Sequence, residues 1–143
     1  MSVQKILNRK PGADVISIAP EQTVADAVAL LSKKKIGAVI VTEGGAPVGI
    51  LSERDIVREL GRRGPTCLND KIATMMTKTL ISCTPEDKAL SVLEKMSQGR
   101  FRHMPVMQDG AMVGLISIGD VVNHRLAELS MERDALESMV MGH

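Results

Sequence analysis

Apolar and polar positions change period along this chain in a fixed order, and the order occurs twice. Val15-Ile16-Ser17-Ile18 is a short apolar run that reads as a strand. Pro20-Glu21 follows, with proline suited to the first turn of a helix or just ahead of it. Val24, Ala27, Val28 and Leu31 then hold one face at helical spacing. Ala38-Val39-Ile40-Val41 reads as a second strand, and Gly44-Gly45 favours a hairpin turn into Val48-Gly49-Ile50-Leu51. Ser52 stands where a second helix needs its N-cap. The series then restarts with Leu80-Ile81-Ser82-Cys83 and Pro85-Glu86. Leu90, Leu93 and Met96 mark the helix, Met104-Pro105-Val106-Met107 the next strand, and Asp109-Gly110 the turn. Val113-Gly114-Leu115-Ile116 and the cap Ser117 complete it.

Sliding the chain on itself by 65 residues aligns 15–60 with 80–125 without a gap and gives 13 identities in 46 positions. Unrelated sequences of ordinary composition would give roughly 3. The expected fold is therefore α/β of the α+β type, two β-α-β-β-α units packed about a pseudo-twofold axis. One such unit alone buries too little surface to be stable. The linker Gly61-Arg62-Arg63-Gly64-Pro65-Thr66 divides the chain into 1–64 and 65–143, together one module. Lys71 to Met76 precedes the second repeat much as Lys5-Ile6-Leu7 precedes the first. After Asp120 the helical pattern runs on, with no Gly or Pro before Gly142, so an extended C-terminal helix is expected. A lone helix of that length needs an apolar surface, which points to a homodimer with this helix in its interface.

Composition narrows the function. The 143 residues carry a net charge of +1 and a single aromatic, Phe101. Neither a basic field nor a stacking platform is there to favour nucleic acid. Cys67 and Cys83 form no paired motif and the three histidines are scattered, so no metal site is expected and the cysteines read as core residues. No nucleophile–base constellation and no phosphate-binding G-x-x-x-x-G-K-[ST] loop is present, so the chain does not read as an enzyme. Without a signal peptide or a long apolar run, the expected location is the cytoplasm, with no membrane partner.

The order Pro-Glu, amphipathic helix, Gly-Ala-Val-Ile-Val and Val-Gly-Ile-Leu-Ser-Glu-Arg-Asp, matched by His-Met-Pro-Val and Val-Gly-Leu-Ile-Ser-Ile-Gly-Asp, resembles the cystathionine-β-synthase (CBS) domain. Two in tandem look like that family's paired module, of the stand-alone bacterial type. The resemblance implies a regulatory or sensor module for adenosine-containing ligands: AMP, ADP or ATP, with NAD as an alternative. It implies two clefts between the repeats. The first would use Ile50, Ser52, Arg54 and Asp55, facing Thr84, Phe101 and Arg102. The second would use Leu115, Ser117, Gly119 and Asp120, facing Ala19, Ile36 and Gly37. In the family the Asp holds the ribose hydroxyls and the Ser and the residue before the Asp face phosphate or ribose.

Elementary chemistry allows this. A carboxylate accepts both hydrogen bonds of a vicinal diol, a helix N-terminus attracts phosphate, and Arg binds phosphate through a planar fork. Plainer readings stand beside it. Ser52 with Asp55, and Ser117 with Asp120, are also capping boxes. Arg54 could be a solvated surface residue, and Arg100-Phe101-Arg102-His103 a charged turn around one buried ring. A nucleic-acid-binding module and a structural dimer without ligand remain the alternatives in function. The regulated protein is unknown from sequence.

Overall fold

The computed structural model describes residues 2–9 and 16–141. Helix α1 (Val3–Arg9) comes first, then β1 (Ser17–Ile18), α2 (Val24–Lys34), β2 (Ala38–Glu43), β3 (Ala46–Ser52) and α3 (Glu53–Arg63). A 3-10 turn (Pro65–Asn69) and α4 (Ile72–Met75) lead to α5 (Ala89–Gly99), β4 (His103–Gln108), β5 (Ala111–Ser117) and α6 (Ile118–Val140). Val15, expected at the start of the first strand, lies outside the described residues.

Both hairpins close through two residues at positive φ, Gly44 (60°) with Gly45 (82°) and Asp109 (52°) with Gly110 (80°). That is the turn whose twist matches paired strands, and Gly at its second place carries no Cβ penalty. Both antiparallel ladders slip by one residue at equivalent places, Val41/Thr42 and Val106/Met107. Proline stands ahead of the helices: α2 begins at Val24, capped by the Thr23–Asp26 capping box. Lys88 occupies the matching place before α5 and offers no side-chain cap.

The expected first strands come out unequally. Ser17–Ile18 pairs in parallel with β2, giving a three-stranded sheet β1-β2-β3. The second repeat keeps only a single bridge, Cys83 to Val106, beside a two-stranded sheet β4-β5. Proline explains the loss. The Ile40 N–H donates to the Ile16 carbonyl at 3.4 Å. Pro105, at the matching place in β4, has no N–H to give, so the ladder stops at the bonds Cys83 makes with Pro105 and Met107.

Packing divides the chain into two compact units, Asp14–Ile81 and Met1–Ala13 with Ser82–His143. The division at Gly64 marks the repeats along the sequence, whereas each compact unit takes its lead-in helix from the other side of the chain. In one unit Ile72 and Met75 of α4 join Val24, Leu31, Val39, Leu51 and Ile56 in the core. In the other, Val3 and Ile6 of α1 join Val92, Met96, Met104 and Ile116. The backbone attachments correspond: the Ile72 N–H donates to the Gln22 carbonyl at 2.8 Å in the first, and the Val3 N–H to the Asp87 carbonyl at 2.8 Å in the second. Cys67 and Cys83 are both buried and free.

Candidate functional site

The Gly-h-h-Ser-x-x-Asp segment of each repeat is the end of a strand running into a helix start. The glycine is there for space. A Cβ on Gly49 would stand 2.6 Å from Met76 Sδ and 3.1 Å from the Thr77 carbonyl. One on Gly114 would stand 2.6 Å from a Leu7 methyl carbon. Each glycine thus lets the lead-in segment lie against the second strand of its unit's hairpin. Sequence reading assigned these glycines only to the motif; the crowding that demands them becomes visible once the lead-in helices are placed.

Ser52 and Ser117 are N-caps of α3 and α6, each in a complete capping box. Asp55 Oδ2 accepts from the Ser52 N–H at 3.0 Å and from its hydroxyl at 2.9 Å, while the Asp55 N–H donates back to Ser52 Oγ at 3.3 Å. Arg58 donates to Asp55 Oδ1 at 3.1 Å. The Asp55 side chain is 13% exposed, so a diol reaching it meets a carboxylate already engaged on both oxygens. In the other unit Asp120 Oδ2 accepts from the Ser117 N–H at 2.8 Å, and the Asp120 N–H donates to Ser117 Oγ at 3.1 Å. The capping reading of both pairs is therefore realised, and any ligand binds to helix starts that are already ordered.

Other expected residues divide by unit. Gly37 lies beside the first helix start, its carbonyl accepting from the Glu53 N–H at 2.9 Å. Arg102 lies beside the second, its carbonyl accepting from the Ile118 N–H at 2.8 Å. Ile50 spends both backbone groups on Thr77, at 3.0 and 2.9 Å. Its N–H is thus committed, and its side chain is half-buried. The Ala19 N–H donates to Gln22 Oε1 at 3.0 Å and the Thr84 N–H to Asp87 Oδ2 at 2.9 Å. Ile36 and Phe101 are half-buried just after the left-handed residues Lys35 and Arg100. The Phe101 ring covers Gly99 so closely that a Cβ there would be 2.2 Å from it. Leu115 is half-buried in β5 opposite Pro105, and Gly119 is exposed in the first turn of α6. Arg54 and Arg102 are exposed.

Two features escaped the sequence reading. A cavity of about 580 Å³ opens between α2, α3 and the 3-10 turn, lined by Val28, Leu31, Ile36, Ile56, Val57 and Leu60 among others. A buried polar pair, His124 and Glu128, sits on α6 with Nε2 and Oε1 3.2 Å apart. Its i, i+4 spacing was the available signal, hidden in a helix full of charges. Among the described residues, no group of three or more His, Cys, Asp or Glu is placed to hold a metal ion. No described helix is long and apolar enough to cross a membrane.

Comparison with known proteins agrees with the repeat. The CBS domain family matches residues 3–62 and 72–127. A mitochondrial CBS domain-containing protein of Arabidopsis thaliana is 36% identical over 127 residues, which are 85% of this chain and 62% of that protein. This chain therefore spans less than two thirds of that relative. The crystal structure of a CBS-domain containing protein from Agrobacterium tumefaciens superposes with a TM-score of 0.84 and 39% identity, covering 87% of this chain and 99% of that one. A CBS domain pair solved with 5′-methylthioadenosine and S-adenosyl-L-methionine shares the fold, with a TM-score of 0.77, 24% identity, and 90% and 98% coverage.

Proposed function

The chain belongs to the CBS-domain family, and from that premise we propose that it is a regulatory module, not an enzyme, that binds an adenosine-containing ligand (AMP, ADP, ATP or NAD) and acts as a homodimer on a partner protein. One observation carries the reading: the same Ser-capped, Asp-boxed helix start is built twice, at Ser52–Asp55 and Ser117–Asp120. A single capping box is common; a pair, each behind a glycine that admits a crossing segment, is a repeated device. The likeness to a domain pair solved with two adenosine derivatives supports the ligand class.

In this reading Asp55 and Asp120 receive ribose hydroxyls and Arg54 receives phosphate. Thr84, Phe101 and Arg102 serve the ligand of Ser52–Asp55. Ala19, Ile36 and Gly37 serve the ligand of Ser117–Asp120. Because the backbone of Ile50 and the N–H groups of Ala19 and Thr84 are engaged, these residues contribute apolar contact or side-chain bonds rather than backbone donors. A diol at Asp55 competes with Arg58, which would be released to the solvent or to the ligand's phosphate.

Mass spectrometry of small molecules released on denaturing the purified protein identifies the ligand. With the ligand at 100 times its Kd, stability should rise by about 2.7 kcal/mol. AMP or a relative should raise the melting temperature and CMP should not. Equal shifts from both would reject the adenine assignment.

A further inference from the structure

Helix α6 has two faces. Val121, His124 and Glu128 are buried against its own unit. Val122, Leu126, Leu129, Arg133, Leu136 and Val140 form a second stripe, at spacings of four and three residues. That is the a/d pattern of a coiled coil, not the wider stripe of a helix lying on a globular core. The apolar members are all exposed, from 40% at Val122 to 85% at Val140. The sixth, Arg133, has a side chain 70% exposed, 3.7 Å from Asp134 and 4.0 Å from Glu137.

We propose that α6 pairs with α6 of a second copy of this chain as an antiparallel two-stranded coiled coil centred near Met131. The inference rests on the homodimer part of the reading above and adds the segment and its direction; it does not depend on the ligand.

Charge decides the direction. In a parallel coil like positions meet, so Arg133 would face the partner's Arg133 inside the seam. Glu132 and Glu137 would also be brought together on the flank, two like-charge contacts at once. In the antiparallel arrangement each a position meets a d position. Val122 then meets the partner's Val140, Leu126 the partner's Leu136, and Leu129 the partner's Arg133. The six places form a self-complementary set, as a twofold interface requires. The stem of Arg133 covers the partner's Leu129, and its guanidinium reaches the partner's Glu132 at the seam edge. Two Glu132 and two Arg133 then meet near the axis with no net charge. On one flank Ser130 lies beside the partner's Ser130 and Asn123 beside the partner's Glu137; on the other, Glu132 lies beside the partner's Glu132, and the two Arg133 guanidinium groups at the seam edge offset that repulsion.

Sedimentation equilibrium and oxidative cross-linking of the full chain test this. All substituted positions are exposed, so the fold is expected to survive. The native thiols are buried, which keeps the background of adventitious disulfides low. Wild type should be a dimer. Leu136→Glu should weaken it by about tenfold or more, since each dimer loses two buried leucines. Arg133→Leu should tighten it. Ser130→Cys should cross-link to itself, because that position lies next to its own copy at the axis. Leu136→Cys should not, since its two copies would be about 15 Å apart along the coil. A monomeric wild type would overturn both the homodimer and this inference. A dimer indifferent to Leu136→Glu, or one cross-linked through position 136 and not 130, would overturn the inference alone.

Discussion

Asp55 has two duties that draw on the same oxygens. It closes the capping box of α3 and, in the proposed function, receives the ribose. Removing the side chain would confound the two, because losing a cap costs about 1 kcal/mol. Asp55→Asn separates them: an amide oxygen still accepts the Ser52 N–H, but the charged acceptor is gone. Calorimetry should show AMP affinity falling roughly 10- to 150-fold, the equivalent of about 1.5–3 kcal/mol for a hydrogen bond to a charged group. The apo melting temperature should move little. An unchanged affinity would leave Asp55 a cap and nothing more. His124 and Glu128 allow a second test. Their facing atoms are buried without a hydrogen bond, so truncating Glu128 alone, which leaves the imidazole buried and unsatisfied, should cost about 1–3 kcal/mol, while replacing both residues by leucine should cost far less. Urea melts of the three proteins decide it. The third test is Cys83. Burial, the largest influence, and the charge of Asp87 push its thiol from 9.0 up to about 11. The raised value means that the folded state resists ionisation, so this contribution is intact below pH 9 and is lost as pH climbs toward 11. In denaturant melts at pH 8 and 10.5, wild type should lose more stability than Cys83→Ala, and parallel losses would refute it. At this scale the sequence pointed to candidate residues but could not show which of their polar groups were already engaged in the fold. Ile50 is the clearest case, because its backbone partner, Thr77, lies in a lead-in segment that periodicity does not place.

The elements were largely legible because each carries its own period and its own punctuation. The hairpins follow from Gly44-Gly45 and Asp109-Gly110, and α3 and α6 from the serine caps. What escaped was set by contacts remote in sequence. The first strand of the second repeat shrinks to one bridge because Pro105, some twenty residues later, withholds a donor. The lead-in helices looked like prefixes to their own repeats, yet α1 packs with the second repeat and α4 with the first. The two motif glycines should report that packing. Gly49→Ala presses on Met76 and on the Thr77 carbonyl, which is held by its pairing with Ile50, so a cost of about 1–3 kcal/mol is expected from overpacking. Gly114→Ala meets only the end of the Leu7 side chain, which can rotate away, so its cost should be smaller. Thermal melts of the two variants test the order. Equal costs would mean that the backbone near Thr77 yields as easily as a leucine methyl.

At the scale of the whole molecule the repeat is close to symmetric in its apolar framework and unequal in its polar groups. Arg54 corresponds to Gly119, Arg102 to Gly37 and Thr84 to Ala19. In the proposed assignment the three polar residues all serve one ligand, and the glycines and alanine all serve the other. The first ligand then meets two exposed guanidinium groups able to form forked, charge-assisted bonds to phosphate. The second meets more room and less charge, which suits a weaker AMP site or a larger dinucleotide such as NAD. Two classes of site should therefore appear when wild type is titrated with AMP in a calorimeter. Arg54→Ala should weaken the tighter class and leave the other as it was. Raising the salt should act in the same way, because a site built on phosphate–guanidinium contact loses affinity to screening while one built on ribose and apolar contact does not. If the two sites are identical in wild type and weaken equally in Arg54→Ala, polar asymmetry does not govern binding. The ligand would then be held by the shared framework of Ser52–Asp55 and Ser117–Asp120, and the divergence between repeats would have to serve the partner protein instead.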